Sequence, residues 1–254
     1  MATMTRAPLR SSARCLSAVR AALTALALLA AGLPGLAQAG SFSANPIRLT
    51  LAPGASSTSL TLENTGDDPV TVQASLMAWS QEEGRDVLRP SQDLVVSPPI
   101  FKLAPRARQT VRVGVLRAAD ASRERAYRLF LTEVPAPRTP DQVGVSVSLQ
   151  LALPLFVQPA APIERRLQWR ARPLEGGRIE LSVANAGNGH VQLVSTTLLG
   201  EGGAPVAEHP ARTYVLPGAS ASWSIEPSRP WRGEPLRVDA QTSEGTLGGP
   251  VAGP

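Results

Sequence analysis

The sequence has little from which an enzyme's site or a disulfide-stapled fold could be built. Its 254 residues include one cysteine, two histidines and an aromatic content of 4%. A lone cysteine, Cys15, excludes an internal disulfide. Neither His190 nor His209 has a cysteine or any metal-ligand spacing around it, and both read as surface histidines in loops. There is no G-x-S-x-G nucleophile elbow and no phosphate-cradling glycine-rich loop followed by lysine. Glu82-Glu83, followed by Gly84-Arg85-Asp86, reads as a solvated hairpin turn rather than a paired-carboxylate site. These absences predict a protein that is not an enzyme and that needs no cofactor and no metal.

Long apolar runs are equally scarce. The one clear case, residues 21–33, follows Arg6, Arg10, Arg14 and Arg20 and precedes Ala37-Gln38-Ala39. That order is a secretory signal peptide over residues 1–39, cut before Gly40 after export through the Sec pathway. A membrane anchor needs about 20 apolar residues, and Gly32, Pro34 and Gly35 interrupt this shorter run, so no stable membrane insertion is expected. The segment takes four of the 25 basic residues, none of the 20 acidic ones and the only cysteine, so the remainder carries a net charge of +1. A near-neutral exported chain is not expected to bind nucleic acid. Arg165, Arg166, Arg170 and Arg172 read as a solvated strand face or an interdomain contact.

Proline and glycine, by contrast, are abundant at 24 and 21 residues. They punctuate short apolar runs, the pattern of an all-β sandwich. Strands are predicted at 47–51, 59–64, 70–79, 94–97, 109–116, 127–134 and 145–157, about the content of one immunoglobulin-like domain over residues 40–158. Two prolines in Gln158-Pro159-Ala160-Ala161-Pro162 remove ladder donors and mark a linker. Further strands at 165–171, 178–184, 191–199, 211–216, 220–225 and 236–242 make a smaller β-sandwich domain over 159–244, and residues 245–254 read as a frayed tail. Residues 119–126 read as a helical turn or two or as a surface loop.

The cleanest alternation lies in VSVSLQLALP, where Val145, Val147, Leu149, Leu151 and Leu153 share one face of a strand. Periodicity leaves open whether that dry face meets the protein's own core or another chain.

Five stretches, NPIRLTLAPG, LENTGDDPVTVQASLMAW, SPPIFKLAPRARQTVRV, RERAYRLFLTEVP and LQLALPLFVQP, occur in an order that resembles the periplasmic pilus chaperones of the chaperone-usher pathway. The resemblance spans the first domain and is weak in the second, where it rests on NAGNGH and VLPGAS. It implies two immunoglobulin-like domains in a boomerang arrangement, pilin-like subunits as partners, and an outer-membrane usher to which they are delivered. It also implies that the alternating strand is donated, with Val145, Val147 and Leu149 projecting into the partner and Leu151 and Leu153 nearer the cleft. Whether the free protein covers that strand by self-association is left open.

The same resemblance implies a cleft that holds the partner's C-terminal carboxylate between an arginine and a lysine. Arg48 matches the arginine, but Pro154 stands where the lysine should be. Gln158 replaces a further arginine of an interdomain ionic contact, whose acidic member is matched by Glu124. These departures are nearer the archaic branch of the family. Since the strand at 127–134 runs antiparallel to the last strand, Arg128 is expected beside Pro154, and Arg48 with Arg128 form the expected carboxylate-binding pair. The competing reading is a cell-envelope adhesion or receptor module built on the same fold.

Overall fold

The computed structural model describes residues 42–117, 120–135 and 147–253. Residues 1–39, read above as a signal peptide, and Val145 lie outside the described residues. Eighteen strands follow in order: β1 Phe42–Asn45, β2 Leu49–Leu51, β3 Ser57–Asn64, β4 Val70–Glu82, β5 Arg85–Pro90, β6 Leu94–Ser97, β7 Ile100–Leu103, β8 Arg108–Val115, β9 Arg125–Val134, β10 Gln150–Val157, β11 Leu167–Pro173, β12 Ile179–Asn185, β13 Val191–Leu199, β14 Pro205–His209, β15 Thr213–Val215, β16 Ser220–Ile225, β17 Leu236–Thr242 and β18 Gly245–Ala252. Among the described residues the only helical turns are single 3-10 turns at Glu175–Gly177 and Glu201–Gly203.

The first ten strands form two sheets, one in the order β1-β3-β8-β6 and the other β2-β10-β9-β4-β5, with β7 pairing on β4. Alternate residues turn inward from both sheets. Leu60 and Leu62, Val111 and Val113, Leu129 and Leu131, and Leu153, Leu155 and Val157 form one buried core. The β4–β5 hairpin turns at Glu83-Gly84, both at positive φ, which matches the right-handed twist of the flanking strands.

The remaining eight strands form one continuous sheet in the order β14-β13-β17-β18-β11-β12-β16, with β15 pairing on β13. Its end strands β14 and β16 come into contact, so the sheet folds over its own core of Trp169, Leu181, Leu193, Val238 and their neighbours. The fold is two immunoglobulin-like sandwiches in succession.

The two sandwiches share a local device. Asn64 ends β3 buried, donating its amide to the Asp68, Leu103 and Ala104 carbonyls while its oxygen accepts from the Gly66 N–H. Asn185 ends β12 in the same way, donating to Gly189 and Val215 and accepting from Gly187. Each buried amide satisfies turn carbonyls that would otherwise be left dry. Side chains cannot replace Gly187, because a Cβ there would stand 2.1 Å from the Glu164 carbonyl oxygen.

Two expectations need correction. Residues 245–252, read as a frayed tail because of their glycines and proline, form β18, which runs between β17 and β11. Its pairing with β17 supplies the ordering that its own composition does not. Strands β1, β5, β7 and β14 also went unseen, being short or, in β5, mostly exposed and without alternation. Residues 120–124 take the surface-loop alternative, in which Asp120 accepts hydrogen bonds from the Ser122 and Arg123 backbone.

Candidate functional site

Strand β10 is the centre of the site because its neighbours change along its length. On one side it pairs with β9 throughout, Gln150 opposite Thr132 to Val157 opposite Arg125. On the other side it pairs with β2 only from Leu155 to Val157, in parallel. Among the described residues no strand covers Gln150–Pro154 on that second side. The Glu133 N–H donates to the Leu149 carbonyl at 2.9 Å, so the odd-numbered residues of β10 bond to β9 and the even-numbered ones face the uncovered lane. The Gln158 N–H, which donates to the Leu51 carbonyl of β2, obeys the same parity. Among the described residues Gln150 and Ala152 therefore present N–H and C=O groups that no strand pairs, whereas Pro154 presents only a carbonyl.

Side chains obey the complementary rule. Leu153 and Leu155 are 7% and 0% exposed in the protein's own core, Leu149 and Leu151 pack partly against it, and Val147 is 69% exposed. The dry face thus points inward from Leu153 onward and becomes progressively uncovered toward Val147.

The opposite face carries the charged groups. Arg128 is the cross-strand partner of both Pro154 and Met77. Arg48 directly precedes β2 and Leu49, the partner of Leu155, so Arg48, Pro154 of β10 and Arg128 of β9 form a row, with the outer two about 10 Å apart at their Cα atoms. Their heads turn to different partners. Arg48 approaches Gln192 Oε1 at 3.5 Å and Ser243 Oγ at 3.4 Å in the second sandwich. The Arg128 guanidinium carbon sits over Trp79, 3.7 Å from the ring centroid, stands 5.9 Å from the Tyr214 ring, and the side chain pairs with Asp86 at 3.6 Å. Since Gln192 and Tyr214 are themselves cross-strand partners, both guanidinium groups reach the same pair of the second sandwich. Arg128 is 18% exposed at its side chain, a position where an unpaired cation would be costly.

One row further along, Trp79, Ala126 and Phe156 lie side by side on β4, β9 and β10. The small Ala126 lets the two rings approach to 6.1 Å, and they pack with Leu216, Ala219 and Tyr214 of the second sandwich. Phe156 stacks on His190 at 3.5 Å between centroids. Glu124 is buried at this junction, where its Oε1 accepts from the His190 backbone N–H at 2.9 Å and from ring Nδ1 at 2.7 Å. His190 was expected at the surface; it is 7% exposed because Phe156 and Glu124 enclose it. His209 lies half-buried at the end of β14, beside Trp223. Gln81 completes the junction like a short strand, donating to the Tyr214 carbonyl and accepting from the Leu216 N–H.

Sequence reasoning named Arg48, Arg128 and Glu124 but missed Trp79, Tyr214, Phe156, Gln81 and His190. The faint signals for them were the tryptophan that ends QASLMAW and the phenylalanine of LPLFV, each on the polar-facing phase of its strand. The described residues hold no cluster of three His, Cys, Asp or Glu able to bind a metal. They also include no helix long and apolar enough to cross a membrane.

Residues 41–162 match the family described as pili and flagellar-assembly chaperone, PapD N-terminal domain. The chain is 30% identical over 123 residues to the chaperone protein FaeE of Escherichia coli, an alignment covering 47% of this chain and 42% of FaeE. The chaperone protein ClpE of Escherichia coli matches to the same extent, with 41% of its length covered. This chain therefore spans less than half the length of the curated relatives it matches. Among solved structures, a chain of the CsuC-CsuE chaperone-tip adhesion subunit complex from archaic chaperone-usher Csu pili of Acinetobacter baumannii superposes with a TM-score of 0.63 at 21% identity, covering 84% of this chain and 99% of that one. The Escherichia coli chaperone DraB superposes with a TM-score of 0.58 at 22% identity, over 84% of this chain and 96% of that one. A chain of the Salmonella enterica SafA pilin complex with the SafB chaperone gives 0.58 at 21%, over the same shares. These likenesses extend through both sandwiches and show a common fold, and over the first sandwich the chain is similar to the PapD-like pili and flagellar-assembly chaperones.

Proposed function

We propose that this protein is a periplasmic chaperone that binds pilus subunits by strand addition along β10 and delivers them to an outer-membrane usher. The observation that carries the reading is the uncovered lane beside Gln150–Pro154 in a strand otherwise fully built into its sheet. An edge of this kind supplies main-chain donors and acceptors to an incoming strand. Val147, Leu149 and Leu151, graded from exposed to partly buried, supply apolar contact beside it, while Leu153 anchors β10 to the core. Arg48 and Arg128, one on each side of Pro154, bind the terminal carboxylate of the subunit; a guanidinium can grip a carboxylate through two parallel hydrogen bonds. Subunits as partners are supported by the family and by similar chains that were solved with a tip adhesion subunit or a pilin.

The parity of β10 gives a direct test. Ala152→Pro deletes one N–H that faces the uncovered lane and leaves the β9 ladder intact, as Pro154 already does. The variant is expected to fold, by circular dichroism, and to lose the subunit that copurifies with the wild-type protein from its native periplasm. Val147→Asp, at an exposed position, is expected to fold and to weaken the same capture. Folded variants that retain the subunit at wild-type yield would sink the strand-addition reading.

A further inference from the structure

Arg128 is already engaged by an internal carboxylate. Asp86 Oδ2 lies 3.6 Å from Arg128 Nη2, and Asp86 Oδ1 accepts from Gln81 Nε2 at 3.0 Å. Gln81 is in turn fixed to the second sandwich through Tyr214 and Leu216, so the carboxylate is held in place rather than left free on the exposed β5 strand. The Asp86 side chain is 49% exposed against 18% for Arg128. A pair so wetted is weak, and solvent can take over the aspartate when Arg128 turns away.

Resting on the carboxylate-anchor reading above, we propose that Asp86 is a specificity-determining residue: it occupies Arg128 in the free protein and competes with the terminal carboxylate of a bound subunit. Two observations favour competition over simple support. The guanidinium already has a seat that does not need Asp86, the Trp79 ring at 3.7 Å with Tyr214 beyond it. Asp86 also draws Arg128 toward β4 and β5, away from Pro154 and Arg48, which lie on the other side of β9. A carboxylate arriving between the two arginines therefore meets a cation whose charge is partly neutralised from behind, and only a well-placed anion displaces the internal one. Asp86 would thus keep the cleft from holding small anions at random and raise its demand for a correctly positioned chain end.

The test uses the full exported chain and two labelled probes: a peptide of alternating valine and threonine ending in a free carboxylate, and the same peptide ending in an amide. Binding is followed by fluorescence polarisation in wild type, Asp86→Asn, Arg128→Ala and the double variant. Asp86→Asn is expected to tighten the carboxylate peptide by roughly two- to fivefold, the range open to an exposed ion pair, and to leave the amide peptide unchanged. In the Arg128→Ala background the same substitution is expected to do nothing. An Asp86→Asn variant whose preference for carboxylate over amide is unchanged or reduced overturns the inference while leaving the anchor intact. A wild-type protein without that preference, or one whose preference survives both Arg48→Ala and Arg128→Ala, overturns the anchor itself and the inference with it.

Discussion

Phe156 and His190 stack face to face, their ring centroids 3.5 Å apart and their planes 7° from parallel. Phe156 is the last residue but one of β10, the strand that carries the uncovered lane, and His190 directly precedes β13 of the second sandwich. Both rings are buried, and the Glu124 carboxylate accepts two hydrogen bonds from the same histidine.

Removing His190 should therefore cost more than a lost ring contact. His190→Ala leaves the buried Glu124 carboxylate with the backbone N–H as its remaining donor from this residue, and a lost partner of a buried polar group costs about 1–3 kcal/mol. Glu124→Gln in that background should restore part of the loss, because a neutral amide is cheaper to bury. Urea titration of the two single variants and the double variant reads the coupling directly; strict additivity would show that the pair does not act as a unit.

Leu155 and Leu151 share a face of β10 but not an environment, being fully buried and half-buried respectively. Leu155→Ala is expected to cost about 2–5 kcal/mol through lost burial and a residual cavity. Leu151→Ala should cost less than about half of that, and its larger effect should appear in subunit capture. Denaturation midpoints together with pull-down yields separate the two roles; equal destabilisation by both variants would assign the whole face to the core.

Arg128 is expected to contribute to stability as well as to the proposed carboxylate site. Arg128→Ala removes a guanidinium stacked on Trp79, a contact worth about 0.5–2 kcal/mol. Arg128→Lys keeps the charge but loses the planar fork, so it should recover part of the stability and little of the preference for a carboxylate. Chemical denaturation and the paired carboxylate and amide peptides measure these two quantities separately.

Burial holds the His209 imidazole below its ordinary value. In the unfolded chain it returns to about 6.5, so between the two values the unfolded state binds more protons. Stability from this group is complete above the unfolded value and is lost as pH falls toward the folded one. The urea midpoint of wild type should fall between pH 7.5 and pH 5 by more than that of His209→Gln. Parallel curves for the two proteins would show that His209 is not responsible.

What could be read in the sequence follows from locality. Alternation in β3, β8, β9 and β10 is written within each strand, and so are the turns between them. Arg128 beside Pro154 could be inferred because antiparallel neighbours have fixed registers. His190 could not, since its enclosure depends on Phe156 and Glu124, brought beside it only when the two sandwiches dock. Strand β18 illustrates the same limit: GTLGGPVA has almost no strand preference of its own, and its order comes from lying between β17 and β11. The inward turn of Leu153 and the exposure of Val147 were equally hidden, because one alternating pattern runs through both.

Pro154 acts as an end-stop for anything laid along β10. Strand β2 runs parallel to β10 and fills its lane from Leu155 onward, and the residue just before offers no N–H. A chain entering parallel to β10 can take hydrogen bonds at Gln150 and Ala152 and then meets an occupied track. Under the strand-addition reading its last residue would stop just short of the level of Pro154, where Arg48 already holds the lane and Arg128 lies across β10, so the fold would measure where a partner's chain ends as well as whether that end is charged.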